Sequence, residues 1–477
     1  MSDVIPFWIA GTPAHGHDPL EVSHPHDRTP VGRTTHAGPE QVEAAVGAAH
    51  AVRHETAALP VHARAAALDH VARRILDRSE ELARLITAEN GKPIRWARAE
   101  VARAASVFRL AAENARTWSG EVQRLDTESA AEGRLAYTVR VPRGPVLAIT
   151  PFNFPLNLVA HKVAPAIAVG APVVVKPAPK TPLSALLLGE LLAETALPAG
   201  AVSVVNVPDS AAPDLVADPR LPVISFTGSG PVGARIRAAV PQKHVTLELG
   251  GNAAVVVCED WSDTPYAAGR IATFANYQGG QSCVGVQRVY VHRSRLEEVR
   301  TAIVAAVESL GVGDPTDEAT QVGPLINEES ARRVEAWVEE AVDAGATILT
   351  GGRREGTTYA PTVLEDVPVD AKVSCEEVFG PVLLIHPVDS VDEAFALVND
   401  SRYGLQAGVF THDLRVAFRA QRELEVGGVV IGDAPSYRAD QMPYGGTKES
   451  GEGREGVRFA MTDFTYDRVM VLTGLPL

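Results

Sequence analysis

Cysteine is nearly missing from this 477-residue chain, where only Cys258, Cys283 and Cys375 occur. Three thiols cannot build a disulfide framework, which points to a reducing compartment. Positive charge is also scarce: 44 Lys and Arg face 59 Asp and Glu, a formal charge of -15. That balance argues against nucleic acid or an anionic membrane surface as a partner. The longest apolar run, Val163 to Val175, holds 13 residues and is broken by Pro165 and Pro172. A membrane-spanning helix needs ~20. The N-terminus, "MSDVIPFWIAG", carries an acid where a secretory leader needs positive charge, and Pro6 interrupts its apolar stretch. A cytoplasmic location is expected. No internal repeat, low-complexity segment or metal-ligand cluster is read.

The composition is 45% hydrophobic and 22% charged, ordinary for a globular protein, and the length suits two or three domains. Residues 38–118 read as helices, with apolar residues at three- and four-residue spacing and Gly91-Lys92-Pro93 closing one of them. The stretch "GRLAYTVRVP" (133–142) alternates as a half-buried strand, half of a hairpin. From 145 onward, "VLAIT", "PVVVK", "VSVVN", "PVISF" and "HVTLEL" alternate with amphipathic stretches, the pattern of a doubly wound parallel sheet. A second series begins at "QRVYVH", with helices near 295 and 329–345 and strands near 383, 407 and 428. The closing "DRVMVLTG" reads as a terminal strand in need of an edge.

Two stretches carry chemistry. In "ISFTGSGPVG", Gly228, Gly230 and Gly233 spell G-x-G-x-x-G between a strand and a helix, the setting of a dinucleotide site; the plain alternative is a tight turn. That fingerprint looks for an acid about 20 residues on to bind the ribose, and Glu248 lies near that offset. In "NYQGGQSCVG" (276–285), Cys283 sits among glycines and amides rather than in an apolar run. It reads either as a nucleophile or as a small residue in a turn.

Taken together, "ITPFNFP", "VVKPAPKTPL", "FTGSGPVG", "TLELGG", "GQSC", "EEVFGP" and "MPYGGTKESGEGREG" resemble the NAD(P)-dependent aldehyde dehydrogenase superfamily, in order and spacing, over about residues 20–475. The resemblance implies a Rossmann-like cofactor domain (1–122 and 145–250), an α/β catalytic domain (251–457) and a small β oligomerisation element (123–144 and 458–477) in a homodimer or homotetramer. It implies that Cys283 is the nucleophile and Asn153 the oxyanion donor. Glu248 becomes the base that activates water, which overrules its reading as a ribose acid. Relatives that acylate coenzyme A generally lack this glutamate. Lys162 has a supporting role. Thr150, Lys176, Gly228, Ser229, Gly233, Glu377 and Phe379 match cofactor positions. NAD-preferring members often carry a glutamate where this chain has Pro179, followed by Lys180. Loss of that carboxylate makes NADP the expected cofactor, with NAD admissible.

For the substrate, the resemblance runs to lactaldehyde- and semialdehyde-type enzymes and implies a small polar aldehyde. Ser282 stands where members acting on phosphorylated aldehydes often have arginine. Arg109, His161 and Arg438 are candidates for the substrate's tail, against the alternative that each bonds backbone or a surface acid. Asp433, where many members have asparagine, has no sequence account. The competing functions are a coenzyme A-acylating dehydrogenase and a catalytically silent protein of the same fold.

Overall fold

The computed structural model describes residues 4–474. The five strands expected after 145 are Val146–Ile149, Val173–Lys176, Val202–Val204, Val223–Thr227 and His244–Glu248. They lie parallel in one eight-stranded sheet, with Val146–Ile149 between Val173–Lys176 and Val223–Thr227. Strand order therefore reverses at that point, and the crevice beyond the carboxyl ends is where doubly wound sheets bind ligands. These strands are short and almost wholly buried, because crossover helices cover both faces of the parallel sheet. Helix Asn157–Val169 is buried along its whole length, Pro165 included, so the longest apolar run of the sequence forms core.

The helices expected over 38–118 are present, the long ones being Val61–Asp77, Ser79–Asn90 and Ile94–Thr117. Ser79–Asn90 ends at Gly91, whose φ of 74° is the left-handed cap that glycine adopts without cost. The hairpins Phe7–Ile9/Thr12–Ala14 and Asp18–Ser23/Pro30–His36 were not read from the sequence, since Phe7–Ile9 is only three residues long and each of the other three strands contains a proline.

A second, seven-stranded sheet centres on Arg288–His292, flanked by Ala254–Val257 and Val382–Val388 in parallel. Its core is separate from the first. The chain returns to the first unit earlier than position 457: Gly451–Glu452 pairs with His244–Glu248, and helix Val457–Asp463 packs into the first core. The terminal strand Thr465–Thr473 pairs along its full length with Arg134–Pro142, which also pairs with Val122–Arg124. That three-stranded sheet stands apart from the other two.

Candidate active site

Cys283 follows a run that only special backbone permits. Gln278, Gly279 and Gly280 take φ of 46°, 67° and 71°, and a Cβ on Gly280 would sit 2.2 Å from the carbonyl of Gly380. The Gln281 side chain fixes the loop, donating to the Gln278 carbonyl at 3.1 Å and accepting the Ile326 N–H at 2.9 Å. Cys283 is half-buried against Val284, Leu405 and Tyr444. This enclosure pushes the thiol up to about 11, and the Tyr444 hydroxyl, 2.9 Å from Sγ, opposes that rise.

Asn153 lies in the turn after strand Val146–Ile149. Its Nδ2 donates one N–H to the Gln281 carbonyl at 3.0 Å, leaving the second free, while Oδ1 is buried without a partner. Glu248 ends its strand beside Gly445, and neither carboxyl oxygen has a hydrogen bond. Burial and then the Glu455 charge raise the Glu248 carboxyl well above the usual range. Asn153 and Glu248 thus hold three buried acceptor atoms without partners, which is uncommon in a structural core. Lys162 is committed elsewhere, to Glu455 at 2.8 Å and Ser225 at 2.9 Å.

The sequence reading did not single out Glu455, Tyr444, Asp440 or Arg103, although the first two stand inside quoted motifs. Burial raises the Glu455 carboxyl, but Lys162 and Arg438 outweigh burial and hold it at about 2. Arg438, 8% exposed, reaches Glu455 Oε2 at 3.3 Å and lies over the Tyr444 ring at 3.8 Å; its Nε has no partner. His161 bonds Asp440 at 3.3 Å, and Asp440 also takes Arg103 at 2.8 Å. Burial, then Arg438, lower the imidazole to about 4, so His161 is neutral. Arg103, Arg438 and Lys162 thus face two carboxylates, Asp440 and Glu455.

Arg109 does not join this group. It is exposed on helix Ile94–Thr117 and pairs with Glu113 at 2.5 Å. Six residues separate it from Arg103, about one and two-thirds helical turns, so the two point to different faces. Asp433 now has an account: it forms a two-pronged pair with Arg270 at 2.6 and 2.8 Å, which ties the loop leading to Arg438 onto helix Thr264–Asn276.

On the crevice's other side, Ser229 precedes helix Gly230–Ala239 without a side-chain cap, and a Cβ on Gly230 would meet open space. Gly228 and Gly233 are closed in by Phe226 and Leu249. Lys176 ends its strand; its Nζ bonds Asp209 at 2.7 Å, an exposed carboxylate absent from the sequence reading. Thr150 N–H donates to the Lys176 carbonyl at 3.2 Å. Pro179 borders the same crevice with exposed Lys180, whose Nζ lies 5.7 Å over Phe152. Glu377 accepts the Gly251 N–H at 3.0 Å, its carboxyl pushed to about 7 by its enclosure. A Cβ on Gly250 would strike that carboxylate at 2.1 Å. Phe379, at φ 47°, packs edge-on to Phe152. An uncapped glycine turn opening a helix, with a lysine at the end of a strand two places away in the same sheet, fits a dinucleotide. Among the described residues, no helix is long and apolar enough to cross a membrane.

The aldehyde dehydrogenase family model matches residues 12–470. The 3-sulfolactaldehyde dehydrogenase of Priestia aryabhattai is 42% identical over 454 residues, 95% of this chain and 94% of that protein. The crystal structure of aldehyde dehydrogenase 21 from Physcomitrella patens, in complex with the reaction product succinate, superposes with a TM-score of 0.97 at 42% identity, covering 100% and 99% of the two chains. The NADP-dependent glyceraldehyde-3-phosphate dehydrogenase of Bacillus halodurans C-125, complexed with NADP, gives 0.95 at 34% identity, covering 99% of this chain and 100% of that one.

Proposed function

The chain belongs to the aldehyde dehydrogenase family, and on that premise we propose that it oxidises a short aldehyde bearing an anionic group, through Cys283, Asn153 and Glu248. The Cys283 sulfur adds to the carbonyl carbon, and the carbonyl's π pair moves to oxygen. The free N–H of Asn153 and the main-chain N–H of Cys283 are the donors for that oxyanion, and one such donor typically lowers a barrier by ~3–4 kcal/mol. A bound nicotinamide supplies the hydride acceptor. Glu248 then takes a proton from water, whose oxygen attacks the thioester carbon; the C–S bond breaks and the carboxylic acid leaves. With Glu248 present, water rather than coenzyme A is the acceptor, so product formation is expected without coenzyme A.

The anionic tail rests on one observation. Arg438 is buried with an unpartnered Nε, on the ring whose hydroxyl touches Cys283. With His161 neutral, the cluster of three cations and two carboxylates has one positive charge to spare. Ser282, bonded to Tyr277 at 2.9 Å, adds no second cation, which favours a carboxylate or sulfonate over a phosphate. The relatives named for sulfolactaldehyde and for a succinate complex support the same class.

For the cofactor, Lys176, Thr150, Gly228, Ser229, Gly233, Glu377 and Phe379 would hold it. NADP is the proposed form, because Pro179 offers no carboxylate and Lys180 stands beside it. Asp209 limits that preference, being a carboxylate on Lys176 itself. The first unit is assigned cofactor binding, the second catalysis, and the exposed terminal sheet assembly into a homo-oligomer. The deciding experiment is a panel of short aldehydes, anionic and neutral, assayed with NADP and NAD. In the Arg438→Gln enzyme, KM should rise at least tenfold for anionic members and hardly change for neutral ones. Equal effects on both classes would reject the anionic reading. Cys283→Ala should abolish oxidation while cofactor still binds.

A further inference from the structure

The Cys283 sulfur meets one polar side chain among the described residues, the hydroxyl of Tyr444 at 2.9 Å. Its apolar neighbours are Val284 and Leu405. A thiol in such a setting resists ionisation, since burial penalises the charged form. Yet the thiolate is the form that attacks. The hydroxyl has no other partner among the described residues, and the Tyr444 main chain is fixed on both sides by Glu455: its N–H donates at 3.0 Å and its carbonyl accepts at 2.6 Å. The Arg438 guanidinium covers the ring at 3.8 Å. A cation on the ring face draws electron density from the phenol and strengthens its O–H as a donor.

We propose that Tyr444 is a catalytic residue that stabilises the Cys283 thiolate by donating its phenolic hydrogen bond to sulfur. This rests on the reading of Cys283 as the nucleophile. With the thiol neutral, either atom can donate; once the S–H proton has left for water, sulfur only accepts and the phenol must donate. The phenol keeps its own proton, because burial and the adjoining Cys283 raise its pKa well above the ordinary value. When sulfur bonds to the carbonyl carbon its charge passes to the carbonyl oxygen. When the thioester is cleaved, the charge returns to sulfur as leaving group and the same bond receives it. The other charges facing the sulfur are Glu377 and Glu248, which oppose ionisation when charged, and Arg438, which favours it.

The test is Tyr444→Phe, which keeps the ring and the Arg438 contact and removes one oxygen. Alkylation of Cys283 by iodoacetamide is followed against pH on tryptic peptide 271–288, which contains no other cysteine. The midpoint should move up by about one to two pH units, since a hydrogen bond to a charged group is worth roughly ten- to a hundredfold in equilibrium. Replacing Tyr444 with 3,5-difluorotyrosine, a stronger donor of similar shape, should move it down. Superimposable wild-type and Tyr444→Phe profiles, in protein of unchanged Tm, would overturn the proposal. Aldehyde oxidation surviving in Cys283→Ala would instead overturn the nucleophile reading beneath it.

Discussion

At the residue scale, environment matters as much as identity. Glu248 and Cys283 are both enclosed, and both have pKa values raised by that enclosure. A base works only when deprotonated and a nucleophile only as thiolate, so both shifts place the active forms at higher pH. kcat/KM is therefore expected to rise from neutral pH into the alkaline range; a profile flat from pH 6 to 9 would contradict the assignment. Glu248→Gln should slow thioester hydrolysis more than the step before it, giving a burst of reduced cofactor followed by slow turnover in stopped-flow absorbance. Asp209 is a separate matter. Its carboxylate lies 2.7 Å from the Lys176 ammonium, where it would repel a 2'-phosphate and free lysine would attract one. Asp209→Asn is expected to raise the ratio of kcat/KM for NADP over NAD by about tenfold, as one charge-assisted contact is worth. An unchanged ratio would remove Asp209 from cofactor choice.

At the scale of elements, the site is built from loop ends held by buried polar clips. The Glu100 carboxylate accepts the N–H groups of Leu156 and Asn157 at 3.0 Å each, closing the start of helix Asn157–Val169, and pairs with Lys92. Glu89 does the same for Leu183 and Ser184. The Glu100 clip lies just after Asn153, and the Asn90 side chain holds the turn before it, donating to the Phe152 carbonyl at 2.7 Å. Helix Gly230–Ala239 is different, since its first turn is left open. A methyl at Gly230 meets nothing within 4 Å, and alanine is preferred over glycine in a helix. Gly230→Ala should therefore leave Tm unchanged or slightly higher while weakening dinucleotide binding about tenfold by calorimetry. Binding as tight as wild type would mean the phosphates do not approach this turn.

At the scale of the whole molecule, the terminal strand is the conspicuous feature. Thr465–Thr473 covers one edge of its sheet, and Val469, Met470 and Val471 are 58%, 43% and 48% exposed. Long, exposed, apolar edge strands seek pairing, which underlies the proposed homo-oligomer. Val471→Arg with Val469→Glu should yield a smaller species by light scattering with the fold intact. A mass unchanged from wild type would move the interface elsewhere.

Much of this was legible in the sequence because it is local. Strand and helix identity follow from short-range periodicity, and the Gly228, Cys283 and Glu248 motifs lie in contiguous stretches whose order resembles one family. What the sequence alone could not say is which distant side chains meet. Arg103 and Arg109 look alike on one helix, and only the packing phase turns Arg103 toward Asp440 and Arg109 to solvent. Tyr444 reaches Cys283 across 161 residues and Asp209 reaches Lys176 across 33. Early return of the chain at Gly451 depends on pairing with His244–Glu248. Such contacts arise from how elements pack, since hydrogen bonds and charge pairs act over a few ångströms of space whatever the separation along the chain.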